Sequence, residues 1–348
     1  MKHERKDLRN KYKVVSLFSG GGGLDLGFKQ AGFNIVWAID NALDAVRTYQ
    51  KNIGNHIICA DLNTITPNVI PDCDIIIGGP PCQSFSLAGK RKTEDQRGQL
   101  IWTYMNIIEA KAPKFFLFEN VAGLLSAQNS QKEKILDLLI DKFTQLGYQV
   151  AFKLVNAAEY GIPQIRKRVI LIGSKNGMVE FPPITHNIDG SNGLSKFISV
   201  KEALDDLPLP TKGSTLDHEP PTMSELDKFI VSHVKPGGNY MDIPSSVNSV
   251  RIQRLQREGG HTTCYGRMHP DKPSYTINTY FNRPNVGCNI HYSQNRLITI
   301  REALRLQSFP DSYILIAKSK QAKNLIVGNA VPPKLAYILA ENLKKYIY

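Results

Sequence analysis

The sequence predicts an α/β fold in which a mostly parallel β-sheet is covered by helices, and three observations carry this prediction. Over the first 180 residues, short apolar runs alternate with amphipathic stretches, as in a parallel sheet with helical crossovers. Most of the runs are β-branched and uniformly apolar, which is typical of strands buried on both faces. The 348 residues allow about two domains, enough for a sizeable core.

Seven strands and four helices are predicted in this first part of the chain. The strands cover residues 14–18, 35–39, 56–59, 74–77, 115–118, 150–154 and 169–172. The helices cover residues 23–30, 44–52, 100–110 and 133–146. The last two strands have no helix between them, so we expect an antiparallel hairpin at one edge of the sheet.

The composition of the chain changes near residue 181. Pro, Gly, Ser, Thr and Asn become frequent and helical periodicity weakens through residue 295, which indicates an irregular, loop-rich domain. Helical spacing returns over 299–307 and 332–348, and we expect these helices to pack on the first domain. The predicted domains are residues 1–180 with 297–348, and residues 181–296 between them.

The charge balance favours a polyanionic partner. The 43 Lys and Arg residues exceed the 31 Asp and Glu residues by 12, so nucleic acid is the first expectation and an anionic membrane surface the second. No apolar run approaches the roughly 20 residues of a membrane helix, and the charged N-terminus is unlike a signal peptide. The five cysteines show no metal-ligand spacing, which excludes a zinc finger and a disulfide scaffold. We expect a cytoplasmic monomer with no bound metal and no membrane partner.

A glycine-rich loop follows the first predicted strand. Residues 18–24 are FSGGGGL, and glycines there allow a sharp turn and let a ligand lie against bare backbone. Asp40 ends the second strand, where it can accept hydrogen bonds from ribose hydroxyls, and Asp61 ends the third, where it can accept from an adenine amino group. This pattern favours a nucleoside cofactor. A nicotinamide or flavin dehydrogenase is the alternative on the loop alone, although the spacing departs from GxGxxG.

Three further motifs indicate a catalytic site. Cys82 lies on a loop stiffened by two prolines after the fourth strand, and its polar neighbours argue against a buried core cysteine. Glu119 ends the fifth strand, where a carboxyl can act as a general acid, and a solvated loop glutamate is the alternative. Arg166 and Arg168 alternate at the start of a strand, so both guanidinium groups should face one side and suit a phosphate or a base carbonyl. A solvated basic edge strand is the alternative for this pair.

These motifs resemble the DNA (cytosine-5)-methyltransferase family, of the prokaryotic restriction-modification type. The resemblance spans nearly the whole chain through the segments FSGGGGLDLGF (18–28), GGPPCQSFS (78–86), DQRGQL (95–100), ENV (119–121), QIRKR (164–168), REALRLQSFP (301–310) and VGNAVPP (327–333). It implies a doubly wound, mostly parallel, seven-stranded S-adenosylmethionine-dependent methyltransferase sheet. It also implies a smaller, irregular target-recognition domain over residues 181–296.

The activity that the resemblance implies is DNA methylation. A methyl group passes from S-adenosylmethionine to C5 of a flipped-out cytosine in a specific sequence of double-stranded DNA, through a covalent adduct between Cys82 and C6. S-adenosylhomocysteine is the product, and protection from a companion restriction enzyme is the implied role.

The resemblance also implies roles for individual residues. Cys82 is the nucleophile, Glu119 acts at cytosine N3, and Arg168 orients the base through O2. Arg166 supports Arg168 or contacts the DNA backbone. The implied cofactor-binding residues are Phe18, Gly20, Gly22, Gly23, Leu24, Asp40, Asp61, Pro80, Asn329 and Ala330. The implied DNA-contacting residues are Gln83, Ser84, Ser86, Arg97, Thr276 and Ile277.

The chain departs from the family pattern at the cofactor site. Asp40 stands where a glutamate is usual, one methylene shorter, and Asn41 and Ala42 replace an aromatic and an acidic residue. In the recognition region, polar side chains suited to reading base edges are frequent. These candidates are Arg251, Arg254, Arg257, Arg267, Arg283, Gln253, Gln256 and Asn282.

Two alternative functions remain open from the sequence. A tRNA cytosine methyltransferase has the same fold and chemistry, but its Cys-Phe-Thr segment is not matched by TTCY at residues 262–265. A non-catalytic DNA-binding protein of the same fold is the other alternative, and the presence of Cys82, Glu119 and Arg168 argues against it.

Overall fold

The computed structural model describes residues 12–81 and 96–347, with the backbone alone for residues 96–99. A seven-stranded sheet forms the centre of the amino-terminal half of this part of the chain. Its strands are β1 Lys13–Leu17, β2 Asn34–Asp40, β3 Ile57–Cys59, β4 Ile75–Gly78, β5 Phe115–Val121, β6 Gln149–Asn156 and β7 Lys167–Ser174.

The strands lie in the order β3-β2-β1-β4-β5-β7-β6. The first five strands run parallel, whereas β7 pairs antiparallel with both β5 and β6. The sheet grows outward in opposite directions from β1 and β4, so the chain order reverses between these two strands. Open α/β sheets bind ligands outside the carboxyl ends of strands at such a reversal. The predicted doubly wound sheet and its antiparallel edge hairpin are both confirmed.

The remaining elements are helices and short strands. The helices are α1 Gly23–Gln30, α2 Leu43–Asn52, α3 Gln96–Lys111, α4 Ile135–Gln145, α5 Val200–Leu204, α6 Glu225–His233, α7 Val250–Glu258, α8 Ile300–Leu306, α9 Lys320–Asn329 and α10 Pro333–Leu343. The short strands are β8 His186–Asn187, β9 Ser195–Lys196, β10 Gly266–Arg267 and β11 Cys288–Ile290. Single 3₁₀ turns cover Leu62–Thr64, Pro67–Val69, Ala122–Ser126, Ala157–Tyr160, Tyr240–Asp242 and Lys344–Tyr346.

The main core lies where α3 and α4 cover the sheet, and it is rich in aromatic rings. Phe116 of β5 lies 4.3 Å from the Phe143 ring of α4, and Tyr104 of α3 meets Phe118 edge-on at 5.3 Å between ring centroids. These side chains are fully buried. Such aromatic contacts add to the free energy of area burial and fix the height of the helices above the sheet.

Helix α10 returns to pack against α1. A Cβ added at Gly27 of α1 would lie 2.5 Å from the Pro333 carbonyl oxygen and from the Ala336 Cβ. The absence of a side chain at Gly27 therefore permits the close approach of the two helices.

The chain divides into two compact units. The first unit consists of Met1–Asn156, Lys167–Pro183 and Pro333–Tyr348, and it holds the seven-stranded sheet with α1 to α4 and α10. The second consists of Ala157–Arg166 and Ile184–Pro332, and it holds α5 to α9 with the short strands. Helices α8 and α9, which the sequence analysis assigns to the sheet domain, are thus grouped with the second unit.

The second unit has an apolar core of its own. Its buried members include Ile230 and Val231 of α6, Ile252 of α7 and Ile290 of β11. All five helices of this unit, α5 to α9, have N-terminal side-chain caps, and Ser199 before α5 and Thr299 before α8 form full capping boxes. Among the described residues, 12–81 and 96–347, no helix has the length and apolar character needed to cross a bilayer.

Candidate active site

The sequence-predicted site residues of the first unit gather at the carboxyl edge of the sheet. Leu17 of β1 pairs with Gly78 of β4, and Gly78 pairs with Phe118 of β5. The segments that follow these three strands therefore leave the sheet side by side. They are the glycine loop, the Gly79–Pro80 segment that leads to Cys82, and the end of β5 with Glu119.

The glycine loop has a backbone that few other residues could adopt. Gly20 has φ +56° and Gly22 has φ +85°, and a Cβ at Gly22 would lie 2.9 Å from the Tyr49 ring. A Cβ added at Gly20 would meet no atom within 4 Å, so the backbone there borders open space. Phe18 also has a positive φ, +56°, which is rare for a bulky residue and is a feature of strained functional loops.

Asp40 fastens the glycine loop to the end of β2. One carboxylate oxygen accepts a hydrogen bond from the Gly20 amide at 2.8 Å, and the other accepts from the Ala42 amide at 2.9 Å. Burial raises the pKa of Asp40 above its ordinary value, and the backbone hydrogen bonds oppose that shift. Asp61 is exposed after β3, where its carboxylate also caps the turn by accepting from the Asn63 amide at 2.9 Å.

These residues fit S-adenosylmethionine. Bare backbone bordering open space at Gly20 leaves room for the methionine portion, and carboxylates at the ends of β2 and β3 supply acceptors for ribose hydroxyls and an adenine amino group. The Asp40 carboxylate accepts hydrogen bonds from the backbone amides of Gly20, Ala42 and Asn41, and because a carboxylate has about four lone-pair sites, it can still accept from a ribose hydroxyl.

Glu119 and Arg168 form an ion pair on neighbouring strands. The Arg168 Nε donates to Glu119 Oε1 at 2.9 Å, and both side chains are largely buried, with 13% and 11% of their surface exposed. Burial lowers the pKa of Arg168 from its ordinary value, and the charge of Glu119 opposes this shift. The pair results from the antiparallel register of β5 and β7, which places Arg168 opposite Val121.

Two contacts connect the end of β5 to the segment that leads to Cys82. The Asn120 side-chain amide donates to the Pro80 carbonyl at 3.1 Å. Gly79 lies so close to Glu119 that an added Cβ would be 2.7 Å from Glu119 Oε2. These contacts therefore fix the position of the Gly79–Pro80 segment relative to the Glu119–Arg168 pair.

Comparison with known proteins assigns this arrangement to a family. A family model described as C-5 cytosine-specific DNA methylase matches residues 12–345. The chain belongs to that family. It is 38% identical over 340 residues to the Type II methyltransferase M.NgoFVII of Neisseria gonorrhoeae, covering 96% of this chain and 87% of that protein. It is 35% identical over 347 residues to M.MthTI of Methanothermobacter thermautotrophicus, covering 95% and 97%.

Solved structures share the fold of this methylase. A DNA modification methyltransferase encoded within an E. coli prophage superposes with a TM-score of 0.71 at 24% identity, covering 97% of this chain and 99% of that one. The S. pombe Dnmt2 methyltransferase gives a TM-score of 0.62 at 21% identity, covering 97% and 100%. At this identity the likeness shows the fold alone. The enzyme class predicted from the sequence, a DNA (cytosine-5-)-methyltransferase, is confirmed by the family match.

Part of the predicted site of the methylase falls outside the described residues. Cys82, Gln83, Ser84 and Ser86 lie there, and only the backbone of Arg97 is described, in α3. Pro80 is buried, with its carbonyl held by Asn120. The predictions for the side chains of Cys82, Gln83, Ser84, Ser86 and Arg97 stay predictions.

Arg166 has a different environment from Arg168. Its side chain is 1% exposed, and its guanidinium donates to the carbonyls of Ile277 at 3.1 Å, Gly328 at 2.9 Å and Ala330 at 2.9 Å. The expectation that Arg166 contacts the DNA backbone is therefore corrected, because its donors are used by buried carbonyls. The alternation of residues along the strand predicts that the two arginines face the same side, but their hydrogen-bond partners differ.

Gln164 is a residue that the sequence analysis quotes within QIRKR and assigns no role. It is fully buried, its Nε2 donates to the Leu306 carbonyl at 3.3 Å, and its Oε1 accepts from the Ile277 amide at 3.0 Å. Gln164 and Arg166 thus hold both polar groups of one peptide residue, Ile277. The signal available in the sequence was a polar side chain between Pro163 and an apolar residue before a strand.

The predicted DNA contacts at Thr276 and Ile277 meet different outcomes. Ile277 is fully buried, so the expectation that its side chain contacts DNA is corrected. Thr276 is exposed, and its hydroxyl donates to the Ile165 carbonyl at 2.8 Å. Asn329 is exposed at the end of α9, and the Ala330 carbonyl accepts from Arg166.

Arg267 does not read bases in this fold. It is 4% exposed, and its guanidinium donates to four carbonyls and one side-chain amide oxygen, those of Val231, Val234, His291, Gln294 and Asn295. Its position among the candidate base-edge donors is corrected for that reason. Three other candidates, Arg251, Arg254 and Arg257, are exposed on α7, and Arg283 is exposed with its guanidinium 4.9 Å from the Tyr280 ring.

Proposed function

We propose that this methylase transfers a methyl group from S-adenosylmethionine to C5 of a flipped-out cytosine in a specific duplex DNA sequence, through a covalent Cys82–C6 adduct. The observation that carries the proposal is the Glu119–Arg168 ion pair beside the Gly79–Pro80 segment. The pair offers a carboxyl group and a guanidinium at the point where the chain runs on to Cys82. A cytosine presents N3 and O2 on one edge, and these are partners for such a pair.

Cys82, Glu119 and Arg168 have different roles in the activation of C5. The Cys82 thiolate adds to C6, and the electron pair of the C5–C6 double bond becomes available at C5. Glu119 hydrogen-bonds or protonates N3, which stabilises the charge that develops in the ring, while Arg168 holds O2. After methyl transfer to C5, a base removes the C5 proton, the C5–C6 double bond re-forms, and Cys82 leaves as the thiolate.

The cofactor would be held by the glycine loop and the acids that follow β2 and β3. When bound, S-adenosylmethionine supplies a methyl group on a sulfonium, which is the electrophile for C5. Asp40 hydrogen-bonds the ribose while it fixes the Gly20 and Ala42 amides, and Asp61 accepts from the adenine amino group. Gly20 leaves the loop open to the methionine portion, and Gly22 lets the loop pack closely on the Tyr49 ring. The side chain of Leu24 is buried, so only its backbone serves the loop.

The DNA partner is supported by charge and by the texture of the recognition region. The net charge of +12 favours phosphate contacts, and the target base must leave the stack because no reagent reaches C6 within a duplex. Residues 181–296 would read the sequence. Relatives named as Type II methyltransferases support a role in restriction-modification, in which methylation protects DNA from a companion nuclease.

A trapping experiment tests the mechanism. If C5 carries fluorine, no proton can be removed after methyl transfer, so the enzyme–DNA adduct should persist. Duplex DNA with 5-fluorocytosine at the target should form a denaturation-resistant complex with the wild type, and only with S-adenosylmethionine. The Cys82→Ser variant should form none, and Glu119→Gln should form it more slowly.

Two outcomes would contradict the proposal. An adduct that survives in Cys82→Ser would assign the nucleophile to one of the other cysteines, Cys59, Cys73, Cys264 or Cys288. Methyl incorporation into tRNA with none into duplex DNA would assign the chain to the tRNA methyltransferases of the same fold. Bisulfite sequencing of methylated DNA would then identify the recognition sequence in the expected case.

A further inference from the structure

A buried carboxylate lies beneath the glycine loop. Asp25 belongs to the first turn of α1, just after the loop, and none of its surface is exposed. Asp25 accepts hydrogen bonds from the Ser16 hydroxyl of β1 at 3.0 Å and from the Tyr49 hydroxyl of α2 at 2.9 Å. The three elements that support the loop therefore converge on this one group.

The side chains around Asp25 form a chain of hydrogen bonds whose donors all point the same way. The Ser19 hydroxyl donates to the Ser16 hydroxyl at 2.9 Å, and the Tyr49 hydroxyl oxygen lies 2.9 Å from His56 Nε2. Because the Tyr49 proton points to Asp25, the Tyr49 oxygen accepts from His56 Nε2–H. Every donor in the chain thus points towards Asp25, which is the arrangement that stabilises an anion.

Ionised Asp25 lowers the stability of the fold. Burial raises its pKa from 3.8 to about 6, against the two side-chain hydrogen bonds. Since the pKa is higher in the folded than in the unfolded chain, the folded state binds more protons between these two values. Stability is therefore lost as the pH rises through about 6, and at neutral pH the group is charged. A destabilising charge beside a binding loop indicates a role in binding.

The charged groups near this network do not neutralise Asp25. Asp40 adds a second negative charge at the end of β2 and opposes the ionisation of Asp25. Burial and the charge of Lys29 lower the pKa of His56, so His56 is neutral at neutral pH. The Lys29 ammonium is held by the Ile53 carbonyl at 2.6 Å, and α10 faces α1 with the apolar Pro333 and Ala336.

We infer that the charge of the Asp25 carboxylate strengthens the binding of cationic S-adenosylmethionine relative to that of its neutral product, S-adenosylhomocysteine. The inference rests on the proposed function, in which the glycine loop holds the methionine portion. The two molecules differ by one methyl group and by the positive charge of the sulfonium, so a fixed anion favours the reactant. Hydrogen bonds of 2.9 and 3.0 Å connect Ser19 of the loop to Asp25 through the Ser16 hydroxyl, so a ligand on the loop has the carboxylate within roughly 10 Å. At that separation and an effective dielectric constant of about 20, two unit charges change a binding constant by roughly tenfold.

The test compares both ligands in Asp25→Asn by calorimetry. The new amide can donate to the Tyr49 oxygen while the Tyr49 hydroxyl turns to His56, so the hydrogen bonds persist and the charge is removed. We expect affinity for S-adenosylmethionine to fall roughly tenfold and affinity for S-adenosylhomocysteine to stay nearly unchanged. Without ligand, the melting temperature at about pH 7.5 should rise, because the buried charge is gone.

A matched control and a second variant keep the test decisive. Asp74→Asn removes a carboxylate of the same unit at the amino end of β4, where it pairs with Lys114 at 2.9 Å, and it should leave the ratio of the two affinities unchanged. If Asp25→Asn does not fold, Tyr49→Phe removes one hydrogen bond to Asp25 and should reduce the preference in part.

The outcomes separate this inference from the proposed function. Equal weakening of both ligands in Asp25→Asn, or a lower melting temperature with an unchanged ratio, would give Asp25 a structural role and overturn the inference alone. If the wild type binds neither ligand, the proposed cofactor itself is wrong.

Discussion

Glu119 has a cation on one side and a glycine on the other. Arg168 donates to one of its oxygens at 2.9 Å, and an added Cβ at Gly79 would lie 2.7 Å from the second oxygen. The carboxyl group is therefore oriented by a charge-assisted hydrogen bond and by the space that a missing side chain leaves. A general acid must lie within hydrogen-bond reach of its target, so both contacts bear on the proposed action at N3.

Gly79→Ala should reduce methyl transfer more than DNA binding. The added methyl group forces Glu119 to move, because the approach is closer than Cβ atoms tolerate. We expect kcat to fall about 10- to 100-fold, as for other displaced catalytic groups, while the KM for DNA and the melting temperature change little. Single-turnover kinetics would measure the effect.

The double variant Gly79→Ala/Glu119→Gln tests whether the effect acts through Glu119. If it does, the double variant should be no slower than Glu119→Gln alone. Additive losses would show that Gly79 acts on Cys82 or on the cofactor instead.

At the scale of elements, the two arginines at the start of β7 have different partners. Arg166 precedes the strand and holds carbonyls at Ile277, Gly328 and Ala330, which come from two segments of the second unit. Arg168 lies within the strand and pairs with Glu119. Three carbonyls around one guanidinium leave buried acceptors unsatisfied when the side chain is shortened, which is costly in a dry site.

Arg166→Lys and Arg168→Lys should therefore fail in different ways. An ammonium cannot reproduce the planar fork, so Arg166→Lys should lose about 2–4 kcal/mol of unfolding free energy in urea titrations. Arg168→Lys should unfold near the wild-type midpoint but transfer methyl groups slowly. Arg47→Lys on the exposed face of α2 is the matched control and should change neither quantity. Equal stability losses at 166 and 168 would argue against separate roles.

The sequence predicted the sheet well because its signals are local. Most strands of the first unit are apolar runs beside a turn, and the glycine loop needs positive φ that glycine adopts readily. The partners of Arg166, Arg267 and Ile277 were not predictable, since they lie more than 20 residues away and involve backbone carbonyls that carry no sequence signal. The segment FSGGGGLDLGF indicates no separate role for Asp25, because its hydrogen-bond partner Tyr49 comes from another helix.

At the scale of the whole molecule, the two units contain different kinds of structure. The first has one continuous seven-stranded sheet with an aromatic core, whereas the second is assembled from short helices and from strands of two or three residues. The predicted recognition region covers residues 181–296. The compact second unit is larger, because it extends to Pro332 and also includes Ala157–Arg166. The proposed division of labour assigns chemistry to the first unit and sequence reading to part of the second.

Exchanging residues 181–296 for those of a relative with another target should change the methylated sequence and preserve methyl transfer. Arg166 and Gln164 hold this segment through the backbone of Ile277, which a donor segment would also supply. Bisulfite sequencing of DNA methylated by the chimera would report the target. An active chimera that retains its original target would place sequence recognition outside 181–296. A second chimera that exchanges 184–332 would then test the wider unit.

Arg267 has a consequence for how such a protein can diversify. Most of its guanidinium partners are main-chain carbonyls, from Val231, Val234, His291 and Gln294. Every amino acid carries that group, so the side chains of these segments can be replaced without removing the fastening that joins them. In the proposed reading unit, successive point mutations can therefore alter the exposed surface while one buried arginine keeps the backbone framework intact.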